Sequence, residues 1–310
     1  MKLKKLLPLI GVALFIYILF KLNLSNIIKE ISNADLKLLL GAVVFTFLFM
    51  VTQTLKWFAI ARAQKIRVPF VKSFVINTKG FFYSFITPSN IGGLMRAEYL
   101  REYNENSLGK GVSNFALDKV FDLCSLIFLV IVFSFMLRKF FGVDYLYYAI
   151  ILLFVLLTGL FVFAEKGRSK KILRGFFRFI PNRIKEKAKI SFYSFYKDMP
   201  EKKYFFLFFV LNILNWVMLI TGVYFVGLSL GINLPYFYFL AILPITTLIG
   251  HLPITINGLG TREAAMIALF GLLNIEATKI VSMSIIQLII GGILPSVFGG
   301  LIIFGSKEKI

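Results

Sequence analysis

Two short stretches of this chain combine residues that could do chemistry. Leu252-Pro253-Ile254-Thr255-Ile256-Asn257-Gly258-Leu259-Gly260-Thr261-Arg262-Glu263 interrupts a strongly apolar region and ends in an arginine beside a glutamate. A fainter copy, Pro88-Ser89-Asn90-Ile91-Gly92-Gly93-Leu94-Met95-Arg96-Ala97-Glu98, lies 165 positions earlier, counted between the prolines. Each copy starts at a proline (Pro88, Pro253), places Gly-Leu five residues on and reaches an Arg and a Glu within the next turn. Lipid offers no partner to a free backbone group or an unpaired charge. Such a break must be buried in protein or line a wet cavity.

The chemistry these residues suit is anion binding. Gly92, Gly93, Gly258 and Gly260 allow close backbone approach, and a short helix is expected just after each break, offering free N–H groups and a partial positive charge. Arg96 and Arg262 add guanidinium groups, which donate paired hydrogen bonds to phosphate. With Asn257, these residues form the expected substrate contacts, and a lipid phosphate is the natural anion in a bilayer. Glu98 and Glu263 are read as partners of the arginines in the empty state, or as contacts for a cationic or sugar headgroup. The competing reading is that each Arg–Glu pair only fixes its hairpin.

Asp118 and Asp122 stand four apart and share a helix face, and Lys119 reaches Asp122 at a spacing of three. Two readings stay open for them: countercharge or proton carrier inside the cavity, or a helix end wetted in the headgroup region. His251 reads as a packed neutral residue, and Asn212 and Asn215 as interhelical hydrogen-bonding groups.

These residues must be positioned by membrane helices. Of 310 residues 58% are hydrophobic and only 16% charged, with a mean hydropathy of +0.84; a soluble domain has about a quarter charged. Several apolar runs exceed the roughly 18 residues that mark a spanning helix. One cysteine, Cys124, excludes an intrachain disulfide, and one histidine argues against His-based zinc chemistry. No metal or cofactor is expected. The net charge of +20 lies between apolar spans, where it sets topology and attracts an anionic leaflet rather than nucleic acid.

In chain order the spans are Leu6–Phe20, Leu38–Ile60, an interrupted segment Pro69–Thr87, Val112–Leu137, Tyr145–Ala164, Phe205–Leu230, Tyr236–Leu252 and Thr278–Phe304. Short helices, Leu94–Tyr103 and Thr261–Leu273, follow the breaks. The offset of 165 moves Leu38 onto Lys203, Pro69 to within one residue of Pro235, Val112 onto Ala277 and Leu137 onto Ile302. The expected fold is an all-α polytopic membrane protein of about six full spans and two re-entrant helical hairpins, arranged as two inverted repeats. It forms one integral membrane domain, 1–310: a first helix and linker (1–37), repeat one (38–137), a connecting span and basic loop (138–203), repeat two (204–304) and a tail (305–310).

If each interrupted segment leaves by the side it entered, the N-terminus, Arg62–Lys72, Glu165–Lys203 and the C-terminus share one side. The Lys/Arg bias makes that side cytoplasmic. The Glu165–Lys203 loop holds thirteen Lys or Arg against four acids. Lys170, Lys171, Arg174 and Arg178, mixed with Ile172, Leu173, Phe176, Phe177 and Phe179, suggest a helix lying on the anionic leaflet, alongside the simpler role of topology anchor.

At these residues the chain resembles the lysylphosphatidylglycerol synthase transmembrane-region, or flippase-like, family. Leu252 to Ala265 is similar to its Gly-x-Gly-x-Arg-Glu signature, Thr87 to Tyr99 to its Pro-x-x-x-Gly-[Glu/Gly]-x-x-Arg signature, and Asp118-Lys119-Val120-Phe121-Asp122 to its [Asp/Glu]-Arg-x-x-Asp element. Gly93 stands where many members have Glu, and Lys119 where Arg is common. The aminoacyl-transfer domain of bifunctional members is absent. The resemblance implies a stand-alone, multi-pass cell-membrane protein that handles lipid.

The leading expectation is a non-enzymatic flippase for a phosphate-bearing lipid, aminoacylated or glycosylated. The alternatives are a membrane-embedded enzyme or accessory subunit for lipid-linked headgroup or glycan processing, and a membrane scaffold docking through the basic loop. Expected partners are the lipid, the anionic leaflet through 166–203, and either a second copy of the chain or a lipid-modifying enzyme.

Overall fold

The computed structural model describes residues 13–103, 108–134, 165–176, 196–251, 255 and 258–305, with single positions at 147, 150, 151, 154, 158, 159 and 193. Among these residues all regular structure is helical. After a helical stretch at 13–21, α1 (Leu24–Ser32) is followed by α2 (Leu36–Ala63) and α3 (Phe70–Ile86). A 3₁₀ turn, Pro88–Met95, runs into the short α4 (Arg96–Tyr99), and α5 spans Leu108–Ser134. Then come α6 (Lys166–Phe176), α7 (Phe205–Ser229), α8 (Tyr236–His251), α9 (Thr261–Gly271) and α10 (Ala277–Gln287). A π-helical segment, Leu288–Ile293, leads into α11 (Leu294–Gly305).

Three of these helices are long and apolar enough to cross a membrane: Leu36–Ala63, Lys202–Ser229 and Ala277–Gly305. The first two have 28 residues each, about 42 Å at 1.5 Å per residue. The sequence fixes their ends. Asp35 caps α2, its Oδ1 accepting from the Lys37 N–H at 2.8 Å. Gly231, with φ 71°, turns the chain out of α7. In the last span Pro295 has no N–H for the Gly291 carbonyl, and beside Gly291-Gly292 the helix widens into its π segment.

α2 and α7 form an antiparallel pair at the centre. The Asp35 N–H donates to the Ser229 carbonyl at 2.9 Å at one end. Gly222 packs against Ala42 and Phe45. Toward the other end Thr52 donates to Asn215 at 2.9 Å and Lys56 to Asn212 at 2.8 Å. The two asparagines make the interhelical bonds expected of them.

The segments around the breaks double back. In the first, the Gly92 N–H donates to Thr87 Oγ1 at 2.7 Å, Gly93 faces Ser84, and Arg96 lies against Gly80. Leu100 then packs with Ile66, Val68 and Ile76, where α3 began. In the second, Gly258 meets Gly250 and the Phe270 ring reaches Phe239, at 5.2 Å between centroids, near the start of α8. Because α2 and α7 run in opposite directions, the mouths of these two hairpins face opposite ends of the molecule.

Each hairpin packs on the long helix of the other half. α3 lies on α11, where Gly299 sits over the Thr78 carbonyl, and α8 lies on α5. The matching elements are 166 residues apart: α2 with Lys202–Ser229, and the starts of α3 and α8. The proline-based offset of 165 is thus one short for the helices, because the breaks differ by one residue before their arginines. Most of the expected span Tyr145–Ala164, most of the basic loop, the tail beyond Gly305, and Pro253 and Asn257 of the second break lie outside the described residues.

Candidate functional site

The first break places its arginine in a sealed polar pocket. Arg96 is buried, and three of its nitrogens are engaged: Nε donates to the Gly93 carbonyl at 3.1 Å, Nη1 to Asn77 Oδ1 at 2.8 Å and Nη2 to Asp118 Oδ2 at 3.2 Å. Trp57 and Phe115 flank the guanidinium, with centroids 5.9 and 5.5 Å away. The backbone must come close here. A Cβ on Gly80 would lie 2.7 Å from Arg96 Cγ, and one on Gly92 would lie 2.0 Å from the Tyr83 carbonyl oxygen. Gly93 is equally confined, with Ser84 Oγ 2.7 Å from its would-be Cβ. Asp118 supplies the carboxylate from α5.

Asp118 also holds a residue that the sequence reading passed over. Lys56, wholly buried in α2, places Nζ 3.3 Å from Asp118 Oδ1, 2.9 Å from Asp122 Oδ1 and 2.8 Å from Asn212 Oδ1. Two cations and two carboxylates therefore alternate from the break to the central helix pair: Arg96, Asp118, Lys56, Asp122. Buried charge persists only when paired and hydrogen-bonded, and here Asn77 and Asn212 fill the remaining places. Lys119, also on α5, stands half-exposed 3.9 Å from Asp122. The signal for Lys56 was available: one lysine within an otherwise apolar span. Asp118 is buried as the countercharge of Arg96, so the wetted-helix-end reading is corrected for this residue.

Glu98 does not pair with Arg96. It faces outward and accepts from Arg101 Nη1 at 2.6 Å, half-exposed, because three residues along a helical turn bring the two onto one face. The expectation of an Arg96–Glu98 pair is corrected accordingly.

The second break is built differently. Gly258 and Gly260 take φ of 75° and 83°, a region that favours glycine. Gly258 also packs so tightly that an added Cβ would lie 2.6 Å from Gly250 Cα. Glu263, fully buried at the third position of α9, reaches back to accept the Gly260 N–H and so occupies the helix start. Its Oε1 accepts from Ser284 Oγ at 2.6 Å and from Arg262 Nη2 at 3.0 Å. Arg262 also donates from Nε to Glu263 at 3.2 Å and from Nη2 to Ser284 at 3.0 Å. Its side chain remains 30% exposed, and its Nη1 makes no hydrogen bond among the described residues. His251 nearby is exposed, with Nδ1 2.8 Å from the Thr247 carbonyl, which corrects its reading as a packed residue.

The two sites correspond at the arginine, at one glycine and at the position of the arginine's polar partner. Arg96 and Arg262 are 166 apart, and each reaches a polar side chain 22 positions later on the following long helix, Asp118 and Ser284. Gly92 and Gly258 hold the same offset. Lys56 falls opposite Gly222, so the buried cation belongs to the first half alone.

Comparison with known proteins identifies the setting of this geometry. The profile described as the lysylphosphatidylglycerol synthase TM region matches residues 7–299. A UPF0104 membrane protein of Methanocaldococcus jannaschii is 26% identical, over 98% of this chain and 95% of its own. Another, of Pyrococcus horikoshii, is 23% identical over 99% of this chain and 98% of its own. One of Methanothermobacter thermautotrophicus is 23% identical over 98% and 97%. The chain belongs to the lysylphosphatidylglycerol synthase TM-region family and is a membrane protein.

Proposed function

We propose that this family member moves a phosphate-bearing lipid headgroup across the bilayer, by alternating exposure of two inverted repeats. The observation that carries the reading is the accessible guanidinium of Arg262. It sits at a glycine-lined break in an apolar chain, with Nη1 free of protein hydrogen bonds among the described residues. Intramembrane charge at broken helices is where transport folds of inverted repeats hold their substrates. The antiparallel α2–α7 pair, the opposed hairpin mouths and the exchange of packing between halves support the inverted arrangement.

In this reading Arg262 takes the phosphate first, while Glu263 and Ser284 hold the guanidinium in place. Arg96 is the corresponding ligand of the other repeat. It is paired with Asp118 until the headgroup displaces that carboxylate, which then keeps Lys56 as its countercharge. Asp122 and Lys119 balance charge or relay a proton at the rim. The end of the molecule carrying Arg62, Lys65, Arg67, α6, Lys202 and Lys203 faces the cytoplasm by the positive-inside rule.

The test is translocation of fluorescent lipids in reconstituted vesicles. Phosphatidylglycerol should flip faster than an uncharged glycosyl diacylglycerol, and Arg262→Ala should abolish that difference while the protein remains folded. Equal rates for both lipids in the unaltered protein would remove the phosphate from the proposal.

A further inference from the structure

A second lipid-binding feature lies away from both breaks. Between α2 and α7, toward the end where Arg62 stands, a groove of about 410 Å³ opens on the outer surface. Leu55, Phe58, Ala59, Leu207 and Leu211 give it apolar walls, with Arg62 and Tyr204 also lining it. Its volume lies within the range of small-molecule sites, and its walls suit an acyl chain rather than a polar solute.

The charge around the groove selects the headgroup. The Arg62 guanidinium lies 4.9 Å from the Phe58 ring centroid, so one face is covered by an aromatic wall of the groove. The side chain is exposed and makes no hydrogen bond or ion pair among the described residues, so its donor edges remain available. Lys203 Nζ stands 5.1 Å from the Tyr204 ring centroid. Lys65 is exposed and close enough to act electrostatically on Glu201, the partner of Lys203 at 2.7 Å. Arg62 is thus the charge in the groove wall itself, with Lys65 and the Lys203–Glu201 pair beside the Tyr204 end. Basic pockets between membrane helices on the cytoplasmic side bind anionic headgroups, and a tyrosine at that level suits the interface.

We propose that this groove is a fixed site for an anionic phospholipid of the adjoining leaflet, one acyl chain lying along Leu55, Ala59, Leu207 and Leu211 and the headgroup phosphate on Arg62. The site is separate from Arg96 and Arg262 and does not depend on the transport reading. Because its walls come from the antiparallel helix pair that joins the two halves, the bound lipid bridges the halves.

The experiment is native mass spectrometry of the detergent-purified full chain, titrated with phosphatidylglycerol or with phosphatidylcholine of the same acyl chains. The expected preference for phosphatidylglycerol is about fivefold, the equivalent of about 1 kcal/mol for one interfacial cation. Arg62→Ala should reduce the preference to about one. Ala59→Phe, which fills the groove without removing charge, should weaken binding of both lipids, and Lys37→Ala, an exposed cation at the far end of α2, should leave the preference unchanged. No preference in the unaltered protein overturns the proposal, as does a preference that survives Arg62→Ala. Loss of the preference in Arg262→Ala with retention in Arg62→Ala would place the lipid at the second break instead.

Discussion

The two breaks share a plan and differ in who neutralises the arginine. At the first, Arg96 is buried and its carboxylate comes from another helix, Asp118, which in turn holds Lys56 against α7. At the second, Arg262 is partly exposed and its carboxylate is its own neighbour, Glu263, with Ser284 where Asp118 would be. Arg96 and Asp118 pair across helices of the first half, and Lys56 carries that network to α7 of the second half through Asn212. A charge paired within one turn leaves its hairpin electrically self-contained and its outer edge available. The first arginine is accordingly enclosed and the second accessible.

The largest effect expected from this difference follows from removing the shared carboxylate. Asp118→Ala leaves two buried cations short of a partner and should cost about 3–5 kcal/mol, seen as a marked loss of thermal stability in detergent. The matching change, Ser284→Ala, removes two hydrogen bonds to charged groups but leaves Arg262 and Glu263 paired with each other, and should cost about 1.5–3 kcal/mol. Equal losses would erase the contrast between sealed and open sites.

Next in size is the buried lysine. Lys56→Met should destabilise by about 2–4 kcal/mol, and the Lys56→Met/Asp122→Asn pair by less than the sum of its single changes, because the two groups neutralise each other. A thermal-denaturation double-mutant cycle reads that coupling directly, and additive losses would separate Lys56 from the network.

The shared plan predicts equal intolerance at the paired glycines. Gly92→Ala and Gly258→Ala each force a Cβ into backbone atoms, and each should lose about 1–3 kcal/mol when unfolding is followed by thermal denaturation. The smallest effect belongs to Glu98→Gln. Its exposed pair with Arg101 is worth under about 1 kcal/mol, so transport and melting temperature should both stay near those of the unaltered protein.

The breaks were legible in the sequence because proline, glycine and paired charge inside an apolar run have few physical explanations. The likeness between the two breaks was legible in the same residues. Partner choice was not. Nearest-neighbour spacing favours Arg96 with Glu98, yet that glutamate turns outward to Arg101, while the carboxylate that matters is 22 residues away on α5. Lys56 was hidden among apolar neighbours, since nothing local to α2 reveals that Asp118, Asp122 and Asn212 converge on it. The repeat offset was misread by one because the prolines, not the arginines, were aligned.

The central claim is that the two hairpins open in alternation. It is tested most directly by distances between spin labels across the two mouths, at Arg67→Cys with Glu102→Cys and at Asn233→Cys with Leu272→Cys, in a Cys124→Ser background. Added phosphatidylglycerol should lengthen one distance distribution as it shortens the other. Distances that stay fixed, or that lengthen together, would contradict alternating exposure.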